Sequence, residues 1–96
     1  MNSDEISPEF WERADQMIAL ANEQVKDSTI GKVSSSLLYA AARFNTFNIA
    51  SSAKDATEMK KDAKEAIKYF TEQYEKMLTE NLDDYIENYE NYTPHG

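Results

Sequence analysis

Between Val33 and Ile49 the chain reads VSSSLLYAAARFNTFNI, 17 residues in which Arg43 is the sole charge, although 29% of the sequence is Asp, Glu, Lys or Arg. A helix-length segment this poor in charge needs apolar cover, so the flanking segments are expected to supply it. On a helical wheel, Phe47, Ala40, Val33, Phe44, Leu37 and Ala41 share a broad face, and Leu38, Ile49 and Ala42 share a narrower one. Two apolar faces call for two helical neighbours. The small residues Ala40, Ala41, Ala42, Ser34, Ser35 and Ser36 thin the helix surface, which lets a neighbour approach at the short end of the usual ~8–10 Å. Arg43 falls on the remaining wedge, with its stem packed and its head in water.

The flanking segments carry helix signals. Ser7 and Pro8 read as N-cap and first helical residue, with Glu9 and Glu12 near the positive end of the helix dipole. From there Phe10, Ala14, Met17, Ile18, Ala21 and Val25 form one stripe, and the helix is expected to end near Asp27 or Ser28. Gly31 is placed in the turn that follows, within a link from Ser28 to Lys32. A second link, Ala50 to Lys54, leads to Asp55, which with Glu58 has the spacing of a capping box. Met59, Ala63, Ala66, Ile67, Phe70, Tyr74, Met77 and Leu78 continue at steps of three and four, and Leu82, Tyr85, Ile86, Tyr89 and Tyr92 carry the pattern onward.

That third segment is too long for its neighbours. Two helices of about 20 residues span roughly 30 Å, whereas one rod from Asp55 to Tyr92 would span roughly 55 Å. Either it bends near Asn81, which can cap a short fourth helix with Asp83 and Asp84 in its first turn, or a second copy covers the overhang. The expectation is an all-α, compact bundle of three long helices, the third bent or broken near Asn81 into a short fourth. It would form a single domain over residues 1–96, ordered over about 7–92 and frayed over 1–6 and 93–96. Phe10, Met17, Ile18, Leu37, Ala41, Phe44, Phe70, Tyr74 and Met77 are the expected core.

Composition narrows function chiefly by exclusion. The net charge of −8 disfavours a nucleic-acid surface and an anionic membrane, both of which call for clustered Lys and Arg. The apolar run is too short and too interrupted to span a bilayer. The absence of cysteine removes disulfides and thiolate metal sites, and the opening MNSDEISPEF lacks the basic and apolar regions of a secretory signal, so the cytoplasm is the expected compartment. Gly-rich phosphate loops, a Cys nucleophile and zinc-ligand spacing are missing, and His95 is the only histidine. No cofactor and no small-molecule ligand is implied.

Two features stand out. Glu80, Asp83, Asp84 and Glu87 share a helix face; without ligands from facing helices they read as a solvated acidic face rather than a metal site. Leu82, Tyr85, Ile86, Tyr89 and Tyr92 make an aromatic ridge in an end segment, residues 77–96, that holds five acids and no base. Tyrosine combines apolar area with a polar tip and is enriched at interfaces, so this ridge is the candidate interaction surface, packed on the chain's own helices or docked on a protein partner or a second copy. Asn45 and Asn48 lie between the apolar sectors of the central helix and are expected to close buried hydrogen bonds. Trp11 reads as a core or rim aromatic.

Taken together, GKVSSSLLYAAARFN at 31–45, YFTEQYEKML at 69–78 and ENLDDYIENY at 80–89 resemble a family of small uncharacterised bacterial proteins, one of the domains of unknown function. The likeness runs from about Phe10 to Tyr92. It implies an all-helical fold and a bacterial cytoplasmic origin, and it transfers no activity, ligand or functional residue. The residues themselves favour a non-enzymatic interaction module whose acidic, Tyr-rich C-terminal helix docks a basic or aromatic surface. The alternative is a small carboxylate-based metal or small-molecule enzyme, assembled in an oligomer from acids of the first and third helices.

Overall fold

The computed structural model describes residues 7–92, so the expected fraying of residues 1–6 and 93–96 lies outside the described part. Helices α1 (Pro8–Val25), α2 (Ile30–Ser51), α3 (Ala56–Glu87) and α4 (Tyr89–Tyr92) follow one another, with no strand among the described residues. The all-α class and the order of three long helices and a short fourth are as the sequence predicts. The chain divides into two units, Met1–Ala53 with α1 and α2, and Lys54–Gly96 with α3 and α4.

In the first unit, α1 begins as its sequence dictates. The Phe10 backbone N–H donates to Ser7 Oγ at 3.2 Å, and Pro8 occupies the first turn, where no N–H is needed. The Ser7 hydroxyl and a backbone N–H hold the Glu9 carboxyl below its ordinary pKa, the backbone bond contributing most. The turn into α2 corrects the expected boundary. Thr29 is the N-cap of α2, accepting from the Lys32 N–H at 3.2 Å, and Gly31 lies inside the helix with no positive φ. The physical reason is that a β-hydroxyl one residue ahead of an apolar helix start satisfies orphan N–H groups directly, so no left-handed glycine is required.

Half-buried Phe10, Ala14, Ala21 and Val25 follow one stripe of α1, while on α2 Val33 is buried and Asn45 and Ile49 are half-buried. Val33 is the one buried residue among those described. Within each unit most of the expected core residues are left exposed. Phe10 and Phe70 are half-buried, but Met17, Ile18, Leu37, Ala41, Phe44, Tyr74 and Met77 are exposed, Phe44 at 70% and Leu37 at 43%. Within the hairpin each helix has a single neighbour, and both faces of α2 keep exposed apolar residues, Phe47 at 65% on the broad face and Leu38 at 54% on the narrower one. Asn45 and Asn48 likewise do not close buried hydrogen bonds. Asn45 is half-buried, Asn48 is exposed, and the carbonyl of Asn48 accepts the Ser51 hydroxyl at 2.7 Å.

In the second unit, Asp55 Oδ1 accepts from the Glu58 N–H at 2.9 Å, while Glu58 Oε1 reaches back to the Lys54 N–H at 3.4 Å, one residue beyond the cap's own N–H. At about 1.5 Å per residue the 32 residues of α3 span roughly 48 Å, against roughly 27 Å for α1 and 33 Å for α2. The interruption sits at Asn88 rather than at Asn81. Asn81 stays in the helix, its side-chain amide donating to the Met77 carbonyl at 2.7 Å. Asparagine inside a helix costs only about 0.7 kcal/mol relative to alanine, too little to break a stripe that Leu82, Tyr85 and Ile86 extend.

Gly31→Ala separates the two readings of the first turn. A Cβ at Gly31 meets nothing within 4 Å, and the helical backbone suits alanine, so the substitution should raise stability by roughly 0.4–1 kcal/mol. Thr29→Ala removes the cap and should cost about 1 kcal/mol. Chemical denaturation followed by circular dichroism measures both. Destabilisation by Gly31→Ala would restore glycine to the turn.

Candidate functional site

The chain end is organised around one carboxylate. At Asn88 the backbone leaves helical geometry, with φ −116° and ψ 34°, yet its N–H still donates to the Asp84 carbonyl at 2.9 Å. The Asn88 side-chain amide donates both to that carbonyl, at 3.1 Å, and to Asp84 Oδ1, at 2.9 Å. Tyr92, in the single turn of α4, donates its hydroxyl to Asp84 Oδ2 at 2.7 Å. The Asn91 N–H donates to the Asn88 carbonyl at 2.9 Å, which closes the turn that returns Tyr92 toward α3. The rings of Tyr85 and Tyr92 then stack at 4.3 Å and 18°. Both Asp84 oxygens are thereby occupied by the chain's own donors.

The candidate ridge residues are brought to one end of the second unit. Tyr85 and Tyr92 form the stack, and Leu82 and Ile86 lie one helical turn apart on the same side of α3. Leu82, Tyr85, Ile86, Tyr89 and Tyr92 are all exposed, Ile86 most of all at 73%. What sequence reasoning missed is the pair that shapes this end, Asp84 with Asn88. Their spacing of four was legible, since Asn to Asp at i,i+4 is a helix-surface hydrogen bond, but Asn88 looked like one polar residue among several in ENYENY.

Glu80, Asp83 and Glu87 are exposed while Asp84 is half-buried and engaged. Among the described residues no three His, Cys, Asp or Glu side chains converge in a way that could hold a metal ion. No helix of the described residues is long and apolar enough to cross a membrane.

A second exposed apolar surface lies on the hairpin. There Met17, Leu20 and Ala21 of α1 and Leu37, Ala41 and Phe44 of α2 line an open groove of about 550 Å³, its polar margin limited to Gln24, Ser36 and Asn45. Its lining mixes small side chains, Ala21, Ala40 and Ala41, with large ones, Met17, Leu20, Leu37 and Phe44.

With this geometry described, the sequence model of a family, DUF3144, described as protein of unknown function, matches residues 10–86. The chain belongs to the DUF3144 family. The match takes in α1, α2 and nearly all of α3, including Leu82, Tyr85 and Ile86, and stops before the Asn88 break, Tyr89 and Tyr92. Searches among curated proteins and among solved structures found no match. DUF3144 therefore supplies a family and no activity.

The Asp84 carboxylate raises the pKa of the Tyr92 hydroxyl above the ordinary tyrosine value, first through the hydrogen bond and then through its charge. A raised pKa means that the stabilisation is fully present below the ordinary value, about 10, and is lost as pH climbs through the raised one. Asp84→Asn should return Tyr92 to the ordinary range, as read from tyrosinate absorbance against a Tyr92→Phe background. An unaltered titration would remove Asp84 as its partner.

Proposed function

We propose that this DUF3144 protein is a cytoplasmic, non-enzymatic interaction module whose acidic, Tyr-rich C-terminal segment is the docking surface. The observation that carries this reading is the exposure of Leu82, Tyr85, Ile86, Tyr89 and Tyr92 on one end, with Tyr85 and Tyr92 already stacked. Side chains fixed before binding lose less conformational freedom on docking, so a pre-stacked aromatic pair favours association. The rim carries Glu80, Asp83, Glu87 and Glu90, which selects a partner with basic or aromatic surface and repels acidic ones.

A photo-crosslinking side chain placed at Ile86 or Tyr89 tests this in bacterial cells. Either position should give discrete crosslinked species several-fold stronger than the same group at Arg13, an exposed residue of α1. Equal yields at all three positions would sink the docking reading.

A further inference from the structure

The geometry points to a second copy of this chain as the partner, bound through α3 in an antiparallel pair whose two-fold axis passes beside Tyr74; this rests on the docking reading above and names its occupant.

Six apolar positions and Asn81 on α3 recur symmetrically about that residue. Ala63, Ile67, Phe70, Tyr74, Leu78, Asn81 and Tyr85 follow one another at steps of four, three, four, four, three and four. Such an 11-residue spacing keeps the stripe nearly straight along a helix. Because the steps read the same from either end, an antiparallel copy centred on Tyr74 presents its stripe in register. Phe70 then falls opposite Leu78, and the small Ala63 opposite the large Tyr85. Asn81, opposite Ile67, already gives an amide hydrogen to the Met77 carbonyl.

Area and charge favour this occupant. Ile67, Tyr74, Met77, Leu78, Leu82, Tyr85 and Ile86 are exposed by 40–73%. Seven large side chains, each with about half its surface free, offer on the order of 700 Å², close to the ~800 Å² that each partner gives a standard interface. A parallel pair would lay two acidic halves side by side, each with Glu80, Asp83, Asp84 and Glu87 and no compensating base. The antiparallel pair instead sets each acidic half beside a half in which Lys60, Lys61, Lys64 and Lys68 balance Glu58, Asp62, Glu65 and Glu72, which lowers the repulsion without reversing it. Lys60, Lys64 and Lys68 recur every four residues on the flank of α3 that faces the partner's Leu82, Ile86 and Tyr89 in this register. Their stems can cover apolar surface while their ammonium groups lie over aromatic faces. The basic and aromatic surface that the tyrosine end selects is thus present on α3 itself.

The absence of cysteine makes site-specific spin labelling direct. Sedimentation of the full chain at tens of micromolar should give a dimer. In it, labels at Asp62→Cys should lie about 36 Å apart along the axis, set by 24 residues at ~1.5 Å each, and labels at Glu75→Cys under about 20 Å. A monomer, or short distances at both positions as in a parallel pair, overturns the proposal. So does a dimer that persists when Lys60, Lys64 and Lys68 are all replaced by Glu, because at least a tenfold weakening is expected. Crosslinks from Ile86 and Tyr89 into other proteins, from a monomeric chain, would sink this inference and leave the docking reading standing. A monomer with no such crosslinks would sink both.

Discussion

A helix that touches one neighbour can hide only one stripe, and the sequence of α2 is apolar on two. That inequality underlies the rest of the structure. In the α1–α2 hairpin the inward stripe of each helix is partly covered, with Val33 buried, while Phe44 and Leu37 remain in water. Burying a large apolar side chain contributes roughly 1.5–3 kcal/mol, so each exposed Phe, Leu or Met on these helices is stabilisation the hairpin alone does not collect. The same holds for α3, longer than either hairpin helix and apolar along most of one side. Association is the means by which small helical chains most readily recover such area.

Helix identity and starts were legible because they depend on local chemistry. Ser7 and Asp55 announce their helices through side-chain oxygens that accept the N–H three residues on, as the structure shows, and Pro8 through an N–H it does not have. Thr29 carries the same chemistry but was eclipsed by Gly31, since a glycine after a charged stretch is read first as a helix stop. The core was less legible, for a different reason. Periodicity shows which side of a helix is apolar; whether anything covers that side is a property of the neighbours, which no stripe encodes.

The break in α3 shows how closely matched local signals can be. Asn81 and Asn88 both follow a carbonyl four residues back and both donate their side-chain amide to it. Asn88 differs in having Asp84 rather than Met77 at that position, so its amide also meets a carboxylate oxygen. The turn beyond it is fastened by Tyr92 on the other oxygen. A lone asparagine is a weak interruption; an asparagine with two acceptors and a downstream tyrosine to close the turn is a stable one. The tyrosine ridge was therefore visible as a pattern, but its shape depended on a carboxylate that had been grouped with its acidic neighbours.

That grouping matters for function as well. An acidic face with four equivalent carboxylates would act as diffuse charge, whereas the structure withdraws Asp84 to build the stack of Tyr85 on Tyr92 and leaves Glu80, Asp83 and Glu87 in solvent. In the docking reading proposed above, Asp84 organises the aromatic pair and the exposed carboxylates around it do the selecting. A surface built this way gains affinity from fixed rings and discrimination from its rim, because desolvating a half-covered, hydrogen-bonded carboxylate would cost more than skirting an exposed one. A partner that lays apolar and basic groups along α3 would meet the rings first and need not strip water from Asp84. Lysines spaced every four residues on a helix of matching length satisfy that requirement, and α3 carries them within its own first half.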